Sequence, residues 1–304
     1  MGSHRASCTG LPLPAADDPV LGRVAVVLHQ PEDVVNVGGV VRVMTNFGLS
    51  QLRLVEPAAF DAYRIEGIAH RGGPVVRAAR RYPSLEQALA DCGFVLATTG
   101  RPREVERERL TPRQAARCVL EAARDREATV AVLFGRERDG LPNTAIDLCH
   151  ALVTIPTDPD NHSLNLSHAA AIVLYEIYLA WLEASGKPGD AGKTSPGRPA
   201  PAQAQAAPGS GEAEPAVLRA LLDGDARLAL GAEREAMFCA LADLLEALYP
   251  HTAFARRYSA LARLRAILLR AVPQGDEAAL LNRLFRHLAR VARDYGARTG
   301  EVGR

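Results

Sequence analysis

Short apolar runs alternate with longer amphipathic stretches over the first 184 residues of the chain. Five runs rich in Val, Leu, Ile and Phe predict buried strands, at residues 24–28, 51–55, 94–98, 129–134 and 152–155. Helical patterns lie between them. Strands that alternate with helices favour an α/β fold in which helices cover both faces of a parallel sheet.

Local signals predict where several helices begin and end. The first helix is expected over residues 36–47, with Gly48 as its stop, and Thr111 followed by Pro112 predicts another helix start. A third start is expected at Ser163. It precedes one apolar helical face formed by Leu166, Ala170, Val173, Ile177 and Trp181.

Residues 185–215 contain Gly, Pro, Ala, Ser and Gln but no Val, Ile, Leu, Met or aromatic residue, which predicts a flexible linker. The predicted organisation is therefore a disordered leader at 1–20, an α/β domain at 21–184, this linker, and a small all-helical region at 216–304. From residue 254 to the end there are eleven arginines against four acidic residues. Such a charge run is either a nucleic-acid-binding patch or a solvated helical surface.

Composition narrows the class of protein. Of the 304 residues 48% are hydrophobic and 23% charged, which is typical of a soluble globular protein, and the net charge is only +1. The five cysteines form no C-x-x-C pair, and the histidines are scattered, so we expect no metal site and no disulfide framework. The longest apolar stretch is too short to cross a bilayer, and residues 1–18 lack the basic and apolar pattern of a signal peptide, so we expect no secretory signal. A cytoplasmic protein without a membrane partner is expected.

Three segments stand out because each follows a predicted strand, where open parallel sheets bind their ligands. They are residues 31–48, 134–141 and 155–167. Each segment alone is more readily explained as an ordinary connection between a strand and a helix. Together, in this order, they are far more specific.

Taken together, the segments resemble the three motifs of the SpoU-type SPOUT RNA ribose 2'-O-methyltransferases. The matching residues read Pro31-x4-Asn36-x-Gly38-x3-Arg42-x4-Phe47-Gly48, then Phe134-Gly135-x-Glu137-x2-Gly140-Leu141, then Ile155-Pro156-x6-Ser163-Leu164-Asn165-Leu166-Ser167. This resemblance implies that the C-terminal part of the α/β domain is threaded into a trefoil knot. It also implies a homodimer and S-adenosyl-L-methionine as the methyl donor.

Within that family, residues 97–103 and the helical stretch 264–271 resemble the branch that methylates nucleotide 32, a cytidine or uridine, of the tRNA anticodon loop. That branch carries a helical C-terminal extension. The resemblance therefore implies that residues 21–184 are a methyltransferase catalytic domain and that residues 216–304 bind tRNA.

The resemblance also assigns roles to residues. Arg42 would act on the 2'-hydroxyl, either as a base or as the cation that stabilises the developing alkoxide, and Asn36 would orient Arg42 or the RNA backbone. Glu137 would hold that arginine or its neighbours, while Ser163 and Asn165 would position the ribose and the cofactor. The implied cofactor-binding residues are Thr98, Thr99, Gly100, Gly135, Ile155, Ser163, Leu164 and Asn165.

Two other functions remain open at this stage. The same chemistry could act on ribosomal RNA or on another tRNA site, and the helical tail is the sequence feature that argues for tRNA. A catalytically silent RNA-binding protein with the same fold is disfavoured, because Asn36, Arg42, Glu137, Ser163 and Asn165 are all present.

Overall fold

The computed structural model describes residues 18–100, 107–125, 127–158, 160, 163–186, 214–224 and 227–301, with side chains as far as residue 295. Most of the predicted leader and most of the predicted linker lie outside the described residues. Residues 101–103 of the segment that resembles the tRNA branch lie outside them as well.

A parallel sheet forms the centre of the fold. Its strands are β1 (Val24–His29), β2 (Gln51–Val55), β3 (Arg80–Tyr82), β4 (Cys92–Thr98), β5 (Glu108–Leu110), β6 (Thr129–Phe134) and β7 (Ala151–Val153). They lie in the order β3-β2-β1-β6-β4-β7-β5, and every pair among them is parallel. The predicted α/β class and parallel sheet are confirmed.

All five predicted strands are present, although the last ends at Val153 instead of residue 155. The pattern missed β3 and β5, the two edge strands, which have only three residues each. Their sequences, Arg-Arg-Tyr and Glu-Arg-Leu, contain no apolar run because an edge strand needs little burial.

Helices cover both faces of the sheet. The helices packed on the sheet are α1 (Val34–Asn46), α2 (Ala62–Ala69), α3 (Gly73–Ala78), α4 (Leu85–Ala88), α5 (Pro112–Ala122), α6 (Asn143–Ile146), α7 (Leu166–Ala184) and α8 (Ala216–Asp223). Three more helices follow in the chain: α9 (Gly231–Leu248), α10 (Phe254–Arg270) and α11 (Gly275–Glu301). Alternate strand residues face opposite ways: Val26 lies in the core under α1, α5 and α7, and Val27 in the core under α4 and α6. This two-sided burial explains the continuous apolar runs of the central strands.

Capping side chains decide the helix starts. Helix α1 begins before the predicted residue 36 because the Asp33 carboxylate accepts a hydrogen bond from the backbone N–H of Val35. The predicted start at Thr111 is confirmed, with a reciprocal capping box to Gln114. The predicted start at Ser163 is wrong: the side chain of Asn165 caps α7, since its oxygen accepts from the backbone N–H of Ser167 at 2.8 Å.

The helices after residue 214 pack in two ways. Three apolar residues of α8, namely Val217, Leu218 and Leu221, join the main core. Helices α9, α10 and α11 share a smaller core of their own around Phe238 and Leu269. Among the described residues of this region no strand is present, as the sequence predicts.

Helix α9 attaches to the edge of the sheet where the strands begin. The backbone N–H of Ala232 donates to the carbonyl of Ala90, and Arg234 donates to the carbonyls of Cys92 and Gly93 at the start of β4. The three predicted ligand-binding segments follow the other ends of the strands. The helical region is therefore attached where the strands begin, and the candidate site lies where the strands end. None of the helices in the described parts of the chain combines the length and apolarity that a membrane span requires.

Candidate active site

An open cleft lies at the carboxyl ends of β4, β6 and β7. Its empty volume is about 870 Å³ including its mouth, a size typical of small-molecule sites. These strands are neighbours in the sheet, so the loops that follow them meet. Seven of the eight predicted cofactor residues line the cleft: Thr98, Thr99, Gly100, Gly135, Ile155, Ser163 and Leu164. The eighth, Asn165, lies outside the lining.

Threonines at the end of β4 connect the three strands beside the cleft. The Thr98 hydroxyl donates to the carbonyl of Leu133 in β6 at 3.1 Å, and the backbone N–H of Thr99 donates to the carbonyl of Val153 in β7 at 2.9 Å. The cleft floor is thereby built from backbone groups and small side chains.

Glycine is required in the loop that follows β6. A Cβ atom at Gly135 would lie 2.3 Å from the backbone carbon of Gly140, which no real contact permits. Gly140 itself has φ +68°, in the left-handed region. The loop can therefore fold back tightly on itself, and this brings Glu137 to the rim of the cleft.

A chain of hydrogen bonds connects the three predicted segments. The Glu137 carboxylate accepts from the Asn36 side-chain amide at 2.9 Å and from the backbone N–H of Glu32 at 3.1 Å. The Asn36 oxygen in turn accepts from the side-chain amide of Asn165 at 2.8 Å. Because Asn165 also caps α7, these hydrogen bonds join the start of α1, the loop after β6 and the start of α7.

Close packing of α1 against α7 supports this arrangement. A Cβ atom at Gly39 would lie 2.8 Å from the Cβ of Ser167, so a side chain at this position would force the helices apart. Asn36 and Asn165 can face each other because these two helix starts approach so closely.

Arg42 takes no part in these hydrogen bonds between Glu137, Asn36 and Asn165. Its side chain is exposed on α1, and it makes no hydrogen bond or ion pair with any residue that the structure describes. Among the described residues neither Asn36 nor Glu137 contacts Arg42; Glu137 instead binds Asn36 and the backbone of Glu32. That Asn36 orients Arg42 or the RNA backbone, and that Glu137 holds the arginine or its neighbours, stay predictions. Asn36 and Arg42 lie six positions apart, which places them on different sides of the helix.

Sequence reasoning missed Arg136. This residue lines the cleft, and its buried Nε atom has no hydrogen-bond partner among the described residues. The signal was its place between two motif residues, Gly135 and Glu137. An unpaired buried donor beside a cleft is suited to an acceptor group on a bound molecule.

Within the part of the chain that is described, no group of three or more His, Cys, Asp or Glu residues is arranged to hold a metal ion. Cys92, Cys118 and Cys149 are buried, and burial raises the pKa of each thiol to about 12. These thiols are therefore protonated and act as core residues.

Two proteins of known activity are similar in sequence to more than half of this chain. The tRNA (cytidine/uridine/adenosine-2'-O-)-methyltransferase TrmJ of Pseudomonas aeruginosa strain UCBPP-PA14 is 41% identical over 169 residues, 56% of this chain and 65% of that protein. The tRNA (cytidine-2'-O-)-methyltransferase TrmJ of Methanocaldococcus jannaschii is 37% identical over 158 residues, 51% of this chain and 67% of that one. The match thus spans just under two thirds of the length of the Pseudomonas relative.

Likeness to a solved structure extends into the helical region. The crystal structure of TrmJ from Z. mobilis ZM4 has a TM-score of 0.65 and 28% identity, and the match covers 87% of this chain and 98% of that one. The model of the SpoU rRNA Methylase family matches residues 23–175, half of the chain, and includes all three segments that the hydrogen bonds of Glu137, Asn36 and Asn165 join. The chain therefore belongs to the SpoU methylase family.

Proposed function

We propose that this protein transfers a methyl group from S-adenosyl-L-methionine to the ribose 2'-hydroxyl of tRNA, at the cytidine or uridine of position 32 in the anticodon loop. The observation that supports it best is the hydrogen-bonded chain of Glu137, Asn36 and Asn165, which joins three family motifs beside one open cleft. The names of the Pseudomonas and Methanocaldococcus relatives support tRNA as the substrate class.

The residues of the cleft fit the cofactor. Apolar side chains such as Phe134, Ile155 and Leu164 offer a surface for an adenine ring, and the backbone beside Thr99 and Gly100 offers hydrogen-bonding groups. The unpaired Nε of Arg136 would meet an acceptor such as a carboxylate. When bound there, the cofactor supplies an electrophilic methyl group on a sulfonium.

The protein's own residues would position the RNA and stabilise charge. A ribose hydroxyl is a weak nucleophile, and it gains negative charge as its proton leaves. In this proposal the exposed guanidinium of Arg42 is the cation that stabilises this charge, because arginine is almost never deprotonated in proteins. Ser163, on the cleft rim, would contact the ribose, while Glu137, Asn36 and Asn165 hold the loops in place.

The proposal includes the wider organisation of the molecule. Residues 21–184 would form the knotted catalytic domain, joined by the linker 185–215 to a tRNA-binding extension at 216–304. The protein would act in the cytoplasm as a homodimer, without a metal. The exposed apolar side chains Val35 on α1 and Ile172 and Tyr175 on α7 support a second copy as partner.

Transfer of tritium from labelled S-adenosyl-L-methionine tests the proposal. Total bacterial tRNA and rRNA would be assayed separately, and the labelled nucleotide mapped by nuclease digestion. We expect label at position 32 of tRNA. The Arg42→Ala variant should transfer the methyl group at least about 100-fold more slowly than the wild type. The matched control is Arg113→Ala, an exposed arginine on α5. An absence of transfer to either RNA would contradict the proposal.

Methylation of rRNA is the second candidate, and the description of the matching family model favours it. The same assay separates the two. Label found in rRNA and not in tRNA would keep the chemistry and change the substrate.

A further inference from the structure

A basic surface lies on the chain between β2 and β4, away from the arginine-rich tail. Residues 61–82 contain five arginines against two carboxylates. All five arginines are exposed. These residues lie on α2, the turn between α2 and α3, α3 and β3, and we call them the α2–β3 surface: Arg64, Arg71, Arg77, Arg80 and Arg81.

Both carboxylates of this segment are already engaged. Asp61 caps α2 by accepting from the backbone N–H of Arg64 at 3.0 Å, and Glu66 pairs with Arg77 at 3.7 Å. Arg64, Arg71 and Arg80 form no ion pair with any residue in the described ranges. Their positive charge is therefore available to an external partner.

The α2–β3 surface is continuous with the helix that holds Arg42. A Cβ atom at Gly38 of α1 would lie 2.9 Å from the Cβ of Ile68 in α2, so the two helices are in close contact. A Cβ atom at Gly72 would lie 2.7 Å from Val41, the residue before Arg42. The turn that makes this approach holds Arg71 in the left-handed region, at φ +25°. This places the Arg71 backbone beside the segment of α1 that bears Arg42.

An exposed aromatic ring accompanies the charges. Tyr63, in the first turn of α2, is 90% exposed, and Arg64 follows it directly. Exposed arginines beside an exposed aromatic ring are the combination that binds phosphates and stacks unpaired bases of RNA.

We propose that the α2–β3 surface binds the phosphate backbone of the RNA substrate next to the nucleotide that is methylated, with Tyr63 as a stacking platform. The inference rests on the proposed function, since it assumes an RNA whose ribose reaches Arg42. The arginine-rich tail is attached through α9 where the strands begin, whereas the α2–β3 surface packs against the helix that bears Arg42.

Charge-removal variants of the full-length protein test this surface. The triple variant R64Q/R71Q/R80Q removes three arginines without ion pairs and keeps Arg81, which lies over the ring of Phe60. The matched control R113Q/R117Q/R124Q removes three exposed arginines of α5 and the residues just after it, with the same change in net charge. Binding of total tRNA would be measured by filter retention over a range of salt concentrations. Cofactor binding and thermal unfolding would be measured on the same samples.

We expect the surface variant to lose about tenfold or more in tRNA affinity at low salt. The slope of log K against log salt should become shallower by about 0.7 to 0.9 for each phosphate contact removed. The control should stay within about twofold of the wild type, and all three proteins should bind the cofactor equally. A separate Tyr63→Ala variant should weaken binding without changing the salt slope, because stacking releases no counterions.

Two results would overturn the inference. If the wild type methylates tRNA and both triple variants bind it equally well or equally poorly, the α2–β3 surface has no specific role, and the proposed function stands. If the wild type neither binds nor methylates tRNA or rRNA while still binding the cofactor, the proposed function and this inference both fail.

Discussion

Glu137 contacts residues that precede it by about a hundred positions. Its two carboxylate oxygens accept hydrogen bonds from the backbone N–H groups of Glu32 and Asp33 and from the Asn36 amide. A single side chain therefore fixes the loop after β1 against the loop after β6. The motif pattern identified Glu137 as a site residue, but its partners follow from β1 and β6 being neighbours in the sheet.

Replacement of Glu137 should loosen this junction. Glu137→Ala removes the acceptor of three donors, but these donors are partly exposed and can bond to water instead, so we expect a loss of about 1 to 3 kcal/mol in unfolding free energy. Methyl transfer should fall more than stability alone explains, since Asn36 loses its orientation. Urea unfolding and the transfer assay measure the two effects.

Glu183→Ala serves as the control for this substitution. Glu183 is exposed near the end of α7, and a change there should stay within about 0.5 kcal/mol of the wild type. Equal stability and equal transfer rates for the two variants would show that Glu137 does not hold the loops.

At the scale of single elements, α9 depends on one buried arginine. Arg234 is only 3% exposed, and its guanidinium donates to the carbonyls of Cys92, Gly93 and Ala229. Burial lowers the pKa of Arg234 to about 10, so the group keeps its charge at neutral pH. Local sequence could not reveal this contact, because an arginine within a helix pattern is normally on the surface.

We expect Arg234→Ala to detach the helical region from the sheet more readily. The substitution leaves buried carbonyls without donors and creates a cavity, at a cost of about 2 to 4 kcal/mol. Hydrogen exchange should show faster opening of α9 and of the start of β4, while Arg263→Ala, an exposed arginine on α10, should change neither. Unchanged exchange in α9 would refute this role.

Strand β7 begins next to a buried histidine. The His150 Nδ1 atom accepts from the backbone N–H of Val95 at 3.1 Å, and the ring packs against Phe94. Burial holds the pKa of His150 well below its ordinary value of 6.5. The folded protein therefore keeps this ring neutral at pH values at which the unfolded chain already binds a proton.

Acidification should consequently destabilise the protein. Below pH about 6.5, proton binding favours the unfolded chain, and one such group lowers the unfolding free energy by up to about 1.4 kcal/mol per pH unit. Burial lowers the pKa of His29 as well, which acts in the same direction. In His150→Asn, whose side-chain oxygen can replace the Nδ1 acceptor, the loss between pH 7 and pH 5 should be smaller. An identical pH dependence in both proteins would disprove the assignment.

For the whole molecule, the exposed faces of α1 and α7 suggest how two copies would meet. Val35 is 45% exposed, Ile172 37% and Tyr175 46%, and the two helices touch where Gly39 meets Ser167. Arg42 shares the exposed side of α1 with Val35, at seven-residue spacing. A second copy on this face would lie beside Arg42 and could complete its surroundings.

Light scattering tests the assembly. We expect the wild type to be a dimer and Tyr175→Glu to be largely monomeric, because a carboxylate buried at an apolar interface is left unpaired. Methyl transfer should fall in parallel. Tyr249→Glu, an exposed tyrosine of the helical region, is the control and should remain dimeric. A monomeric wild type, or a dimeric Tyr175→Glu variant, would contradict this assembly.

The sequence by itself determined the elements with strong local patterns. The five central strands, the apolar face of α7 and the cap at Thr111 follow from neighbouring residues, since periodicity and capping act over a few positions. The short edge strands β3 and β5 escaped because they contain no apolar run.

Only the tertiary structure decided how distant segments meet. The order of strands brings Glu137 to Asn36 and Asn36 to Asn165. The fold also leaves Arg42 exposed and places the Arg234 guanidinium against the start of β4. Residues separated by a hundred positions leave no mark on local propensity. Their contacts arise when the strands assemble into the sheet and the buried polar groups pair with one another.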